Sequence, residues 1–153
     1  MRTLKLQMQI SLDGYVASPT GALDRVVWNR DDALNQYVTD LMGDVDCILM
    51  GRHLAEGFIP HWTKVLKDSD GTDESAARMV NTPKVVFSKT LTESPREHTT
   101  IAGGNFVDEI TQLKQQSGGS LITYGGATFA SQLIEHALID ELHLFINPTA
   151  IGD

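Results

Sequence analysis

Along the chain the apolar positions change period repeatedly, and each change predicts an element. Leu4, Leu6, Met8, Ile10 and Leu12 recur at every second residue, the spacing that puts side chains on one face of a strand. Asp13-Gly14 then marks a turn into a long loop. From Asp31 to Met42 the spacing of Leu34, Tyr37, Val38, Leu41 and Met42 is helical, with Asp31 and Asp32 suited to its amino end. Val45 to Met50 is a short apolar run ending at Gly51, as expected of a strand buried on both faces. His53 to Phe58 predicts a brief helix. Residues 59–72, with Pro60, Asp68, Asp70 and Gly71, read as an irregular and mobile excursion.

The second half repeats the alternation. A short helix over Glu74 to Val80 precedes a strand at Lys84 to Phe87, and a weak strand at Thr99 to Ala102 precedes a helix over Asn105 to Gln116. Ser120 to Tyr124 predicts a strand and Gly125-Gly126 a tight turn. Ala127 to His136 predicts a helix with Phe129, Leu133 and Ile134 inward, and Glu141 to Ile146 a last strand. Strand and helix taking turns predict an α/β fold with a central, mainly parallel sheet and helices on both faces.

Composition narrows the class. The 153 residues suit one domain, and 41% hydrophobic with 21% charged residues is ordinary globular usage. Twelve Lys and Arg against twenty Asp and Glu give a formal charge of −8, which disfavours general nucleic-acid or anionic-membrane binding. An anionic ligand would need a local pocket. A single cysteine, Cys47, excludes an intrachain disulfide framework and a cysteine zinc site, and it fits a reducing cytoplasm. The five histidines lack the close helical spacing of zinc ligands, so no metal is expected.

Candidate chemistry gathers where strands end. Tyr124-Gly125-Gly126-Ala127-Thr128 joins a strand to a helix start. There, glycines admit close approach of an anion and free helix amides favour its charge; a turn needing glycine for packing alone is an equal reading. Met50-Gly51-Arg52-His53 delivers a guanidinium to another strand end, where open α/β sheets bind ligands, although a lone arginine more often pairs at the surface. Ser88-Lys89 offers a hydroxyl and an ammonium at a third. Asp13 is the catalytic candidate because it can orient a substrate beside the first strand, although an aspartate in such a turn commonly bonds its own backbone.

Taken in order, Ile10 to Ala17, Met50-Gly51-Arg52, Val86-Phe87-Ser88-Lys89 and Tyr124-Gly125-Gly126-Ala127 resemble the dihydrofolate reductase superfamily. More closely they resemble bacterial proteins allied to the reductase domain of the riboflavin-biosynthesis deaminase/reductase. The resemblance implies a dihydrofolate-reductase-like three-layer fold and a cytoplasmic, homodimeric, NADPH-dependent reductase acting on a small heterocycle, pterin-like or a riboflavin-precursor pyrimidine. By the same resemblance Gly51, Arg52, His53, Ser88, Lys89, Gly125, Gly126, Ala127 and Thr128 hold the cofactor. Arg52 would meet a phosphate, Ser88 and Lys89 the adenosine end with its 2′-phosphate, and Gly125-Gly126 the pyrophosphate. Tyr15 would line the substrate side and Trp28 the loop covering it. Two departures stand against folate: Ala33 to Tyr37 carries no carboxylate where the family places one, and Asn81-Thr82-Pro83 replaces its folate-tail arginine. These motivate a rival reading, a nucleotide-binding regulatory module without turnover. Relatives of this type also close with a β-hairpin, so the chain is expected to be one domain over 1–153 lacking that hairpin.

Overall fold

A computed structural model of the chain describes residues 1–21, 31–94 and 96–152. The alternating segment at the start forms strand β1 (Leu4–Ser11), followed by α1 (Asp32–Leu41), β2 (Val45–Gly51), α2 (Arg52–Asp68), α3 (Glu74–Asn81) and β3 (Lys84–Phe87). Then come β4 (Thr99–Ala102), α4 (Phe106–Gln115), β5 (Ser120–Thr123), α5 (Ala127–Glu135) and β6 (Glu141–Asn147). The strands make one six-stranded sheet in the order β4-β3-β2-β5-β1-β6, parallel at every pairing.

Strand pleating splits the core into two layers. Ile48 and Met50 of β2 with Ile122 of β5 face α1, α2 and α3, where Leu41, Ala55, Ile59 and Met79 complete the packing. Cys47 and Leu49 of β2 with Leu121 of β5 face α4 and α5, meeting Ile110, Phe129 and Leu133. A strand covered by helices on both sides must be apolar at consecutive positions, which is why residues 47–50 read as an unbroken run.

The edge where the strands begin is held by buried ammonium groups. Lys5 donates to the Leu41 carbonyl (3.1 Å) at the end of α1 and to Asp44 (2.6 Å). Lys84 donates to the carbonyls of Val80 (2.8 Å) and Thr82 (2.7 Å) at the end of α3, and Lys114 to Leu138 O (3.1 Å) and Asp140 (2.7 Å). Lys5 and Lys84 thus place positive charge on carbonyls that a helix end leaves without partners.

Two expectations are corrected. The stretch beyond Phe58 is not an irregular excursion: α2 runs unbroken for 17 residues with Pro60 inside it. Proline removes one helix hydrogen bond and costs about 3 kcal/mol. Here the apolar side chains on either side of it, Ala55, Phe58, Ile59 and Trp62, all pack into one core layer and outweigh that loss. In α5, Phe129 and Leu133 are buried as expected, but Ile134 is 55% exposed. It lies near Leu142 and Leu144 of β6, where among the described residues no helix covers the sheet.

Candidate functional site

Topology alone marks a crevice. From β2 the chain leaves toward β3 with α2 on one face of the sheet, and from β5 it leaves toward β6 with α5 on the other. Adjacent strands whose helices diverge to opposite faces leave an opening beyond their carboxyl ends. A cavity of about 710 Å³ lies there. Gly51, Arg52 and His53 line it from the β2 end, Ser88 and Lys89 from the β3 end, and Gly126, Ala127 and Thr128 from the start of α5.

Helix capping distinguishes this opening from the rest of the molecule. Asp31, Asp73 and Asn105 each accept hydrogen bonds from first-turn amides of α1, α3 and α4. The N-caps of α2 and α5 are Gly51 and Gly126, which have no side chain to do so. Both uncapped ends open into the cavity, so it receives free amide donors and the positive ends of two helix dipoles.

The two glycines of the turn serve different ends. Gly125 has φ +104°, and a Cβ there would stand 2.9 Å from the Met8 methyl carbon, so turn shape and packing both demand glycine. Gly126 has an ordinary φ of −49°, and a Cβ there would meet nothing within 4 Å. Only the cavity occupies that space. The peptide bond between them is cis.

The cations come from opposite walls. Arg52 donates through Nε to Glu56 (2.8 Å) and through a terminal nitrogen to Thr90 (2.9 Å), leaving three of its five N–H groups for a ligand. The same contact with Arg52 lowers the Glu56 pKa. Lys89 is exposed, and among the described residues it has no carboxylate partner. His53 lines the cavity with an almost fully exposed side chain.

An aromatic wall completes the cavity, and the sequence reading did not foresee it. Phe87, Phe106 and Phe129 form a mutual cluster with ring centroids 5.5 Å apart. Phe106 and Phe129 carry the period of buried helix faces, which conceals that their outer edges line a cavity. Asn105 and Gly104 also line it, and the pair Gly103-Gly104 before a helix start was the available signal.

The other candidates lie elsewhere. The Asp13 carboxylate accepts from the Ser11 hydroxyl (2.5 Å), the Ile151 amide (3.1 Å) and the Gly152 amide (2.9 Å). These bonds, the Ser11 contact foremost, lower its pKa from 3.8 to about 2. The catalytic role expected for Asp13 thus meets a carboxylate already bonded within the chain. Tyr15 lines a separate hollow of about 690 Å³ beside β1 and β6, which touches the first cavity at Ala127. Trp28 lies outside the described residues. Cys47 is core, and burial raises its thiol pKa. Among the described residues no group of three His, Cys, Asp or Glu side chains is placed to hold a metal ion, and no helix is long and apolar enough to cross a membrane.

Comparison with known proteins gives the family and the fold. The family model described as the RibD C-terminal domain matches residues 2–153. The uncharacterized protein YyaP of Bacillus subtilis is 29% identical over 154 residues, covering 99% of this chain and 78% of that protein. A Shewanella sp. PV-4 protein proposed for riboflavin biosynthesis superposes with a TM-score of 0.65 at 27% identity, covering 98% of this chain and 79% of that one. Dihydrofolate reductase from Enterococcus faecalis, solved in complex with NADP(H), superposes with a TM-score of 0.60 at 16% identity, covering 99% and 74%. At that identity it shows a shared fold.

Proposed function

Given that the chain belongs to the RibD C-terminal domain family, we propose that it is an NADPH-dependent reductase acting on a small heterocyclic substrate, of pterin-like or riboflavin-precursor pyrimidine type. One observation carries this reading: two uncapped helix ends, Arg52 and Lys89 share a single cavity in a chain of net charge −8. Scarce cations and free amides are concentrated where a phosphorylated dinucleotide would lie.

The residues present fit such a cofactor. The Gly126, Ala127 and Thr128 amides would hold the pyrophosphate, with Gly126 leaving space for it. Arg52 would add a second phosphate contact through its remaining N–H groups. Ser88 and Lys89 would take the 2′-phosphate, and the Phe87, Phe106 and Phe129 wall would shelter the apolar part of the adenosine. When bound, the nicotinamide supplies the hydride. What the chain contributes is orientation and exclusion of water. Asp13 enters as a positioning residue, fixing the turn after β1 against residues 151 and 152, while Tyr15 lines the neighbouring hollow on the proposed substrate side.

The proposal includes a homodimer. Its support is the apolar row Leu142, Leu144 and Ile146, each 44 to 61% exposed on the edge strand β6. A second copy would cover that row.

Calorimetric titration with NADPH and NADH tests the cofactor assignment. Tight binding of NADPH is expected, and Lys89→Ala should weaken it roughly tenfold while leaving NADH affinity nearly unchanged. Equal losses for the two cofactors would reject the 2′-phosphate role. Absence of binding by either at about 1 mM would reject the reductase reading. Binding without oxidation across dihydrofolate and ribosylaminopyrimidine substrates would instead favour the regulatory module, whose motive is the helix α1 without the carboxylate of the folate enzymes.

A further inference from the structure

A second cavity, of about 630 Å³, lies far along α2 from the cofactor cleft. The cleft takes the first residues of α2, Arg52 to Leu54, and this cavity takes Ile59 to Lys67. Residues 96–98 before β4, the end of α3 and the first residue of β3 close it. Its composition departs from that of the chain: Lys64, Lys67, Lys84 and Arg96 line it, four of the twelve Lys and Arg in a protein of net charge −8. His98 adds an imidazole. Among the described residues Glu97 is the one carboxylate in the wall.

Few of these cations are neutralised. Lys64 pairs with Asp68 and Arg96 lies near enough to Glu56 to help lower its pKa, but Lys67 and Lys84 have no carboxylate partner among the described residues. Arg96 spends one N–H on the Ala55 carbonyl (3.0 Å), which fixes its guanidinium over α2 and leaves its remaining donors for a ligand. Lys84 is 2% exposed and lines the cavity, and its ammonium donates two hydrogen bonds, to the Val80 and Thr82 carbonyls, with one N–H to spare. Burial lowers its pKa from 10.5 to about 8, the mark of a charge short of compensation. Trp62, Pro60 and Met79 supply an apolar side to the same space.

We propose that this cavity is a binding site for a small phosphorylated molecule, with Lys67 and Arg96 as the exposed phosphate ligands, Lys84 as the buried one and Trp62 against the non-phosphate portion. A compact polyanion satisfies three cations at once, which no side chain of the described structure does. The site is separate from the cofactor cleft and stands whether or not the reductase reading holds.

Inorganic pyrophosphate is a suitable probe, read through the Trp62 indole resonance, which Trp62→Phe identifies. The expected result is a saturable shift with Kd on the order of 1 mM or tighter, weakening as salt rises. Lys67→Gln and Arg96→Gln should each raise Kd roughly tenfold, as loss of a charge-assisted hydrogen bond does. Both side chains are exposed, and Lys67 has no carboxylate partner to lose, so Lys67→Gln keeps the test valid if Arg96→Gln disturbs the fold. Lys89→Gln, in the other cavity, should leave the Trp62 titration unchanged. No saturable shift, a shift indifferent to Lys67 and Arg96, or one abolished by Lys89→Gln would each overturn the proposal.

Discussion

Gly125 and Gly126 are identical in sequence yet held to different duties. A methyl at Gly125 would collide with Met8 and require a left-handed backbone from alanine, so Gly125→Ala should lower stability by a few kcal/mol. At Gly126 the added methyl meets no protein atom within 4 Å and φ is negative, so Gly126→Ala should change the unfolding free energy by less than about 1 kcal/mol in urea denaturation. Its effect should appear instead as lost NADPH affinity in calorimetry. A Gly126→Ala protein that binds NADPH like the parent would return this turn to a packing role alone. Asp13 offers a second test at the same scale. A carboxyl held at about 2 contributes stability that is present above its ordinary value of 3.8 and is lost as pH falls through about 2. The Ile151 and Gly152 amide resonances should therefore titrate near pH 2. A midpoint close to 3.8 would mean that the contact between Asp13 and residues 151–152 does not persist in solution. Neither duty is legible in the sequence, which marks an Asp-Gly turn and a glycine pair: Ser11 is a local partner of Asp13, but its two backbone partners lie 138 and 139 residues away.

At the scale of elements, the helices with agreeing period and cap are legible in the sequence, and the one that runs through a proline is not. Asp31 and Asn105 cap the helices that their neighbours' spacing predicted. Pro60 reads locally as an end to order, although Ala55, Phe58, Ile59 and Trp62 keep helical spacing across it. Propensity is a local cost, and packing of a continuous apolar face is a larger gain that only the assembled sheet can provide. Pro60→Ala restores a backbone donor within α2 and should stabilise the protein by roughly 1 to 3 kcal/mol in urea denaturation. A destabilised variant would show instead that the proline shapes the contacts of Phe58 and Trp62. The same helix joins the two cavities described above, with Arg52 at its start and Lys67 in its last turn.

At the scale of the whole molecule, the sheet order places β6 at one edge with Leu142, Leu144 and Ile146 exposed on one face and His143 and Phe145 beside Tyr37 on the other. If a second copy covers the first row, Leu144→Glu should shift the protein toward monomer in light scattering, with helix content by circular dichroism retained. An unchanged mass would move any dimer contact away from β6. Much of this architecture was fixed by the chain's own pattern: alternating and helical periods select strands and helices, and their alternation selects a parallel sheet with two helical layers. The strand ends carrying Gly51-Arg52, Ser88-Lys89 and Gly126-Ala127 follow from the same local rules. Tertiary structure alone decided that these three ends meet in one cavity, that Phe87, Phe106 and Phe129 wall it, and that Lys67, Lys84 and Arg96 gather in another. The physical reason is range: periodicity and capping act over a few residues, whereas the order of strands within a sheet is set by which apolar faces can be buried together across the whole chain.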